Sequence, residues 1–184
     1  MENHTSIPTW IMIKMVNFST FINILKNSKT TVTHSLCKLY GMYDSNGKPN
    51  VKLLIGSLHW LRKVRNSCAH NERIFCIHQS QEKNRQNSGR IIETYIASLR
   101  TSYSRDSDKR IFDLLVYFKY YLPEREYTKM MAEFQNMLSD LQQILFTNAF
   151  DNIRGQMGIK DLEDLNTLKT LPKAPILYNK FDDF

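Results

Sequence analysis

Arg65, Asn66 and His70 are the residues of this chain whose types and spacing could do chemistry. They stand in the run Arg62-Lys63-Val64-Arg65-Asn66-Ser67-Cys68-Ala69-His70-Asn71-Glu72-Arg73. A guanidinium can hold a phosphate and the charge that builds on it, and an imidazole can take or give a proton near neutral pH. Arg followed by His five positions later is a weak signal: with ten Arg and five His in 184 residues, chance supplies roughly a quarter of a match. Asn directly after the Arg lowers that to roughly a few percent.

The segment that must position these groups reads as a helix from about Val51 to Phe75. Leu54, Leu58 and Leu61 recur at i, i+4 and i+7. With Arg65 set at 0°, they fall at about −20°, +20° and −40°. The wheel therefore predicts that Arg65 continues the apolar stripe, where an unpaired guanidinium is costly. Asn66, His70 and Arg73 fall at about 100°, 140° and 80° on the same wheel. Asn66 and His70 are i, i+4 neighbours, so the amide could orient the imidazole. In the purely structural alternative, Arg65 pairs with a core carboxylate and His70 is a satisfied helix-end histidine.

The other elements also read as helices. Pro8 to Lys26 is the first, with Pro8 in the opening turn and Thr5 or Ser6 as cap. Thr31 to Met42 is the second, with Leu36, Leu39 and Tyr40 on one side. Residues 43–50 form the clearest turn, marked by Asn46-Gly47 and Pro49. A polar surface loop is expected at about 78–90, and 91–104 suits a short helix. Asp108 to Leu122 reads as a helix capped by Asp108, with Leu114, Leu115 and Phe118 inside and Pro123 as its stop. Glu124 to Asn148 is another, with Met130, Met131, Phe134, Met137, Leu138, Leu141 and Leu145 as its buried side. Gly155 and Gly158 mark a turn, 158–168 is short helix or irregular, and an irregular tail follows at about 169–184, where Pro172 and Pro175 end regular structure. The expectation is one all-α domain over 1–184, with the motif on a long central helix and its C-terminal end.

Composition agrees with a helical fold. Gly (6) and Pro (5) are few, and 42% of the residues are hydrophobic. The net charge of +7 points toward an acidic partner, nucleic acid before anionic membrane. The stretch 62–110 holds eleven Lys/Arg and five Asp/Glu, so it carries +6 of that total. It is either a solvated face or a phosphate-attracting surface. Cys37, Cys68 and Cys76 are too sparse for a disulfide framework and suit a reducing cytoplasm. The apolar run from Ile7 to Leu25 is too polar for a membrane span and lacks a signal-peptide pattern. No Gly-rich phosphate loop, Gly-x-Ser-x-Gly or His-Glu-x-x-His is present. Cys68, His70, Cys76 and His78 have zinc-ligand chemistry, but i and i+2 on a helix point apart. No metal or other cofactor is therefore expected.

Val64-Arg65-Asn66-Ser67-Cys68-Ala69-His70, followed by Arg73, resembles the signature of abortive-infection (Abi) phage-resistance proteins of the AbiD/AbiF type, in the HEPN superfamily of helical ribonucleases and RNA-binding domains. Ile7-Pro8-Thr9-Trp10, then Asn17-Phe18-Ser19-Thr20-Phe21, resembles the family's helix upstream of the motif. Gln156-Met157-Gly158 resembles its late Met-Gly element, so the likeness spans roughly residues 7 to 160. Members often carry a second His where this chain has Asn71, and they commonly have a further N-terminal region. The resemblance implies a HEPN-like helical bundle and a metal-independent endoribonuclease in bacteriophage defence. It implies a homodimer whose two motifs meet at the interface, and a regulatory RNA or protein partner. His70 would be general acid/base, Arg65 would stabilise the phosphate, and Asn66 would orient His70 or touch the phosphate. Arg62, Lys63 and Arg73 are the candidates for RNA backbone contact. Two alternatives use the same residues without catalysis: an RNA- or protein-binding HEPN module, and a helical protein–protein module whose charge is incidental.

Overall fold

The computed structural model describes residues 16–44, 46–78 and 110–170, and among them every regular element is helical. The elements are α1 (Phe18–Lys26), α2 (Thr30–Tyr40), α3 (Val51–Ala69), a 3₁₀ turn (Ile74–Cys76), α4 (Ile111–Tyr121), α5 (Glu124–Ile144), α6 (Thr147–Gln156) and α7 (Glu163–Thr170). This is the expected all-α class. The expected loop at 79–90, the segment 91–104, the Asp108 cap, Ile7-Pro8-Thr9-Trp10 and the tail from 171 lie outside the described residues.

α1 starts at Phe18, and the expected start at Pro8 lies outside the described residues. Asn17 is extended (φ −70°, ψ 161°), and its side chain accepts the Thr20 N–H at 2.9 Å, a strong N-cap that starts a helix there. α2 ends at Tyr40, because Gly41 turns left-handed (φ 69°) and lets Met42 N–H close on Cys37 C=O at 2.8 Å. Its inward residues are Thr33 and Cys37, whereas Leu39 is 72% exposed and does not join the core. At the expected 43–50 turn, the Asp44 carboxylate accepts the N–H groups of Asn46 and Lys48, and Tyr43 bridges Pro49. Asn50 then caps α3, accepting Leu53 N–H at 2.9 Å.

α3 packs against α1, α2 and α4. It ends at Ala69 and does not run on to Phe75. The helix enclosed on all sides is α4, which buries Ile111, Phe112, Leu114, Leu115, Val116, Tyr117 and Tyr120. Its two buried charged residues both have partners. The Asp113 carboxylate accepts Arg110 N–H at 2.6 Å and holds the helix start. The Lys119 ammonium donates to the Leu168 and Lys169 carbonyls at the end of α7 and lies 5.4 Å from the centre of the Tyr127 ring. The long helix expected to reach Asn148 breaks in two: Leu145 and Phe146 are extended, and α6 starts at Thr147. No glycine or proline marks that break; α6 folds back against α5, and packing overrides local preference. Met137, expected inside, is exposed.

Gly155 lies within α6, and Gly158 (φ 78°) closes it. Met157 C=O then receives Phe112 N–H at 3.0 Å, satisfying one of the orphan amides at the start of α4. Within 158–168, expected as short helix or irregular, the chain forms α7, which runs on to Thr170, and Leu165 and Leu168 are fully buried. One cluster of buried side chains joins Ile22 in α1 to Leu168 in α7.

Candidate functional site

The end of α3 is built from an unequal helix. Its inward residues are Leu53, Leu54, Ser57, Leu58, Trp60, Val64 and Ser67. On the wheel with Arg65 at 0°, their arc is centred near about −80°. Leu54 and Leu58 mark one rim of this arc, whereas Leu53, Trp60, Val64 and two serines fill the rest. Ser57 can be buried because its Oγ donates to Leu54 C=O at 2.8 Å and pairs with Tyr121 Oη at 2.6 Å. Arg65 therefore lies outside the stripe and is exposed, which corrects the expectation that it continues the apolar face.

Arg65 Nη1 donates to Asn66 Oδ1 at 3.1 Å. The amide thus holds the guanidinium and not the imidazole. The link from Asn66 to His70 runs through the backbone, with His70 N–H on Asn66 C=O at 3.0 Å. The reason is local: His70 is the C-cap (φ −98°, ψ 10°) and has left the helical geometry that makes i, i+4 side chains meet. His70 is exposed, and no side chain among the described residues bonds its ring. No carboxylate among the described residues pairs with Arg65, so the core ion pair of the structural alternative is not formed.

The chain reverses just past His70. Asn71 is left-handed (φ 53°), Asn71 N–H bonds Cys68 C=O at 3.2 Å, and Glu72 N–H bonds Ser67 C=O at 2.9 Å. Arg73 consequently lies beyond the helix, at the start of the 3₁₀ turn, so its wheel angle does not apply. It is exposed and makes no side-chain bond among the described residues. The other two candidates for RNA contact have internal partners. Arg62 Nη1 donates to Ser19 Oγ at 3.0 Å and ties α3 to α1. Lys63 donates to His78 C=O and lies 5.8 Å from the centre of the buried Trp60 ring. Positions 62–73 still hold four cationic side chains against Glu72 alone.

The four residues with zinc-ligand chemistry do not converge: among the described residues, no group of three or more His, Cys, Asp or Glu could hold a metal ion. All three cysteines are free, Cys37 buried and Cys68 and Cys76 exposed. Burial pushes the Cys37 thiol up to about 11, and burial also raises the Tyr121 hydroxyl. No helix among the described residues is long and apolar enough to cross a membrane.

Fold and site together define an all-α protein with an exposed Arg–Asn pair and a His at the closed end of a long helix. Residues 1–76 match the model of the family of Abi-like proteins. The match contains α1, α2, α3 and the whole Arg65–His70 site. It ends before the late Met-Gly element, which lies in the α6–α4 junction. Neither curated proteins nor solved structures give a match to the chain.

Sequence reasoning missed two features of the site. One is the use of Asn66 by Arg65, which depends on rotamers. The other is the left-handed residue at 71, for which an Asn shortly after a helical run is a usable signal.

Proposed function

We propose that this protein is a metal-independent endoribonuclease of the HEPN type that acts in phage defence by abortive infection, with its working site formed by two copies of the chain. The observation that supports this reading is the exposed Arg65–Asn66 pair with His70 at the end of α3, Arg65 having no carboxylate partner among the described residues, inside the Abi-like segment.

Cutting RNA this way needs the ribose 2′-OH deprotonated and the leaving 5′-oxygen protonated. One His70 takes the 2′ proton as the oxygen attacks phosphorus. The His70 of a second copy gives its proton to the 5′-oxygen as that bond breaks. The Arg65 guanidinium stabilises the charge on the phosphorane between them. Asn66 holds Arg65 ready at 3.1 Å. The products are a 2′,3′-cyclic phosphate and a 5′-hydroxyl. Arg73 is the freest of the three cations proposed to contact the RNA backbone; Arg62 and Lys63 would have to share their present partners.

The test is incubation with labelled tRNA and a structured RNA in the presence of EDTA. Wild type is expected to cut, and His70→Ala to lose on the order of 10²–10⁴-fold in rate. Arg65→Ala is expected to lose activity while its thermal melt stays within about 0.5 kcal/mol of wild type, as an exposed residue should. Equal cutting by His70→Ala would remove His70 from the chemistry. Intact RNA with a salt-sensitive mobility shift would replace the enzyme with a non-catalytic binding module.

A further inference from the structure

We propose that Asn71 is a positioning residue of this site: held left-handed at the end of α3, it sets where His70 stands against Arg65 without itself touching RNA. The activity part of this proposal rests on the ribonuclease reading above.

Asn71 is the one non-glycine residue with positive φ among those described, at 53°. Three successive amides close α3 around it. His70 N–H bonds Asn66 C=O at 3.0 Å, Asn71 N–H bonds Cys68 C=O at 3.2 Å, and Glu72 N–H bonds Ser67 C=O at 2.9 Å. His70 thus sits between a helical turn on one side and a left-handed residue on the other, and both backbone neighbours are fixed. The reversal also aims the following 3₁₀ turn back onto α3 and α6. The same closure occurs after α2 and α6, and there it uses Gly41 and Gly158. A residue with a Cβ is strained in this region, Asn least and β-branched residues most. Val at 71 would leave the left-handed region, break the Glu72–Ser67 bond and free the last turn that carries His70. Gly would keep the backbone and delete only the side chain.

The experiment compares Asn71→Gly, Asn71→Val and His70→Ala with wild type. Rates of RNA cutting are read beside amide exchange at Asn71 and Glu72 and the NMR signal of the His70 ring, assigned by its loss in His70→Ala. Asn71→Gly is expected to keep kcat within about twofold. Asn71→Val should lose about ten- to a hundredfold in kcat, with KM within about threefold, while still melting cooperatively. In the same variant, Glu72 exchange should speed up and the His70 signal should move; in Asn71→Gly neither should change. If wild type cuts no RNA, the ribonuclease reading falls and the NMR comparison alone decides the positioning role. Unchanged Glu72 exchange and His70 signal in Asn71→Val would overturn the proposal. So would an Asn71→Gly variant as impaired as Asn71→Val, since the side chain and not the backbone would then be acting.

Discussion

Arg65 lies about 80° round α3 from the middle of the buried arc, so its substitution reports on chemistry and not on folding. The leucine spacing suggested the opposite, because leucines were the visible signal and Ser57, Trp60 and Ser67 were not. Serine reads as polar in a sequence, yet Ser57 is fully buried once Leu54 C=O and Tyr121 Oη complete its hydrogen bonds. Cys37 is the clearest residue with a measurable pH signature. Burial raises its thiol from 9.0 to about 11. A raised pKa favours the folded state while the thiol is protonated. That contribution is intact below about pH 9 and is lost as pH climbs toward about 11. Melting temperature should therefore begin to fall above pH 9, and Cys37→Ala, though less stable at neutral pH, should show a flatter slope between pH 9 and 10. Tyr121, also raised by burial from 10.0, extends the fall at higher pH. An identical slope in Cys37→Ala would mean that the thiol is not the titrating group.

Helix existence was legible in the sequence, but helix ends and partners were less so. Asn50, Pro123 and Gly158, read as turn or stop residues, all act at helix ends, whereas Gly41 ends α2 inside the helix expected to reach Met42. The break at Leu145–Phe146 has no such residue and follows from α6 packing on α5. The α4–α7 contact was hidden for the same reason. Lys119 looks like a surface lysine in sequence, but it is 5% exposed and caps the carbonyls that end α7. Lys119→Met keeps the side-chain length and removes the donor. It should destabilise the protein by about 1.5–3 kcal/mol, the usual range for a charged hydrogen bond. Hydrogen exchange should show Glu163–Thr170 losing protection first. Unchanged protection in α7 would show that the apolar contacts of Leu165 and Leu168 alone hold it.

At the scale of the whole molecule, the proposed reaction needs two imidazoles and each chain brings one motif His. In a two-fold dimer with both His70 residues required, mixing and exchanging wild type with equal His70→Ala leaves about a quarter of the dimers fully wild type. Activity should then fall to about a quarter and not to half. A linear fall to half would show that each subunit cuts by itself and would discard the composite site. The sequence by itself determined the helical class, the turn at 43–50 and the identities of Arg65, Asn66 and His70, because these follow from composition, breakers and residue chemistry that are local in the chain. Only the tertiary structure decided that Arg65 faces solvent and that Asn66 serves Arg65 and not His70. Both depend on which face of α3 the neighbouring helices cover and on where its last turn stops, and neither is written in any local run of residues.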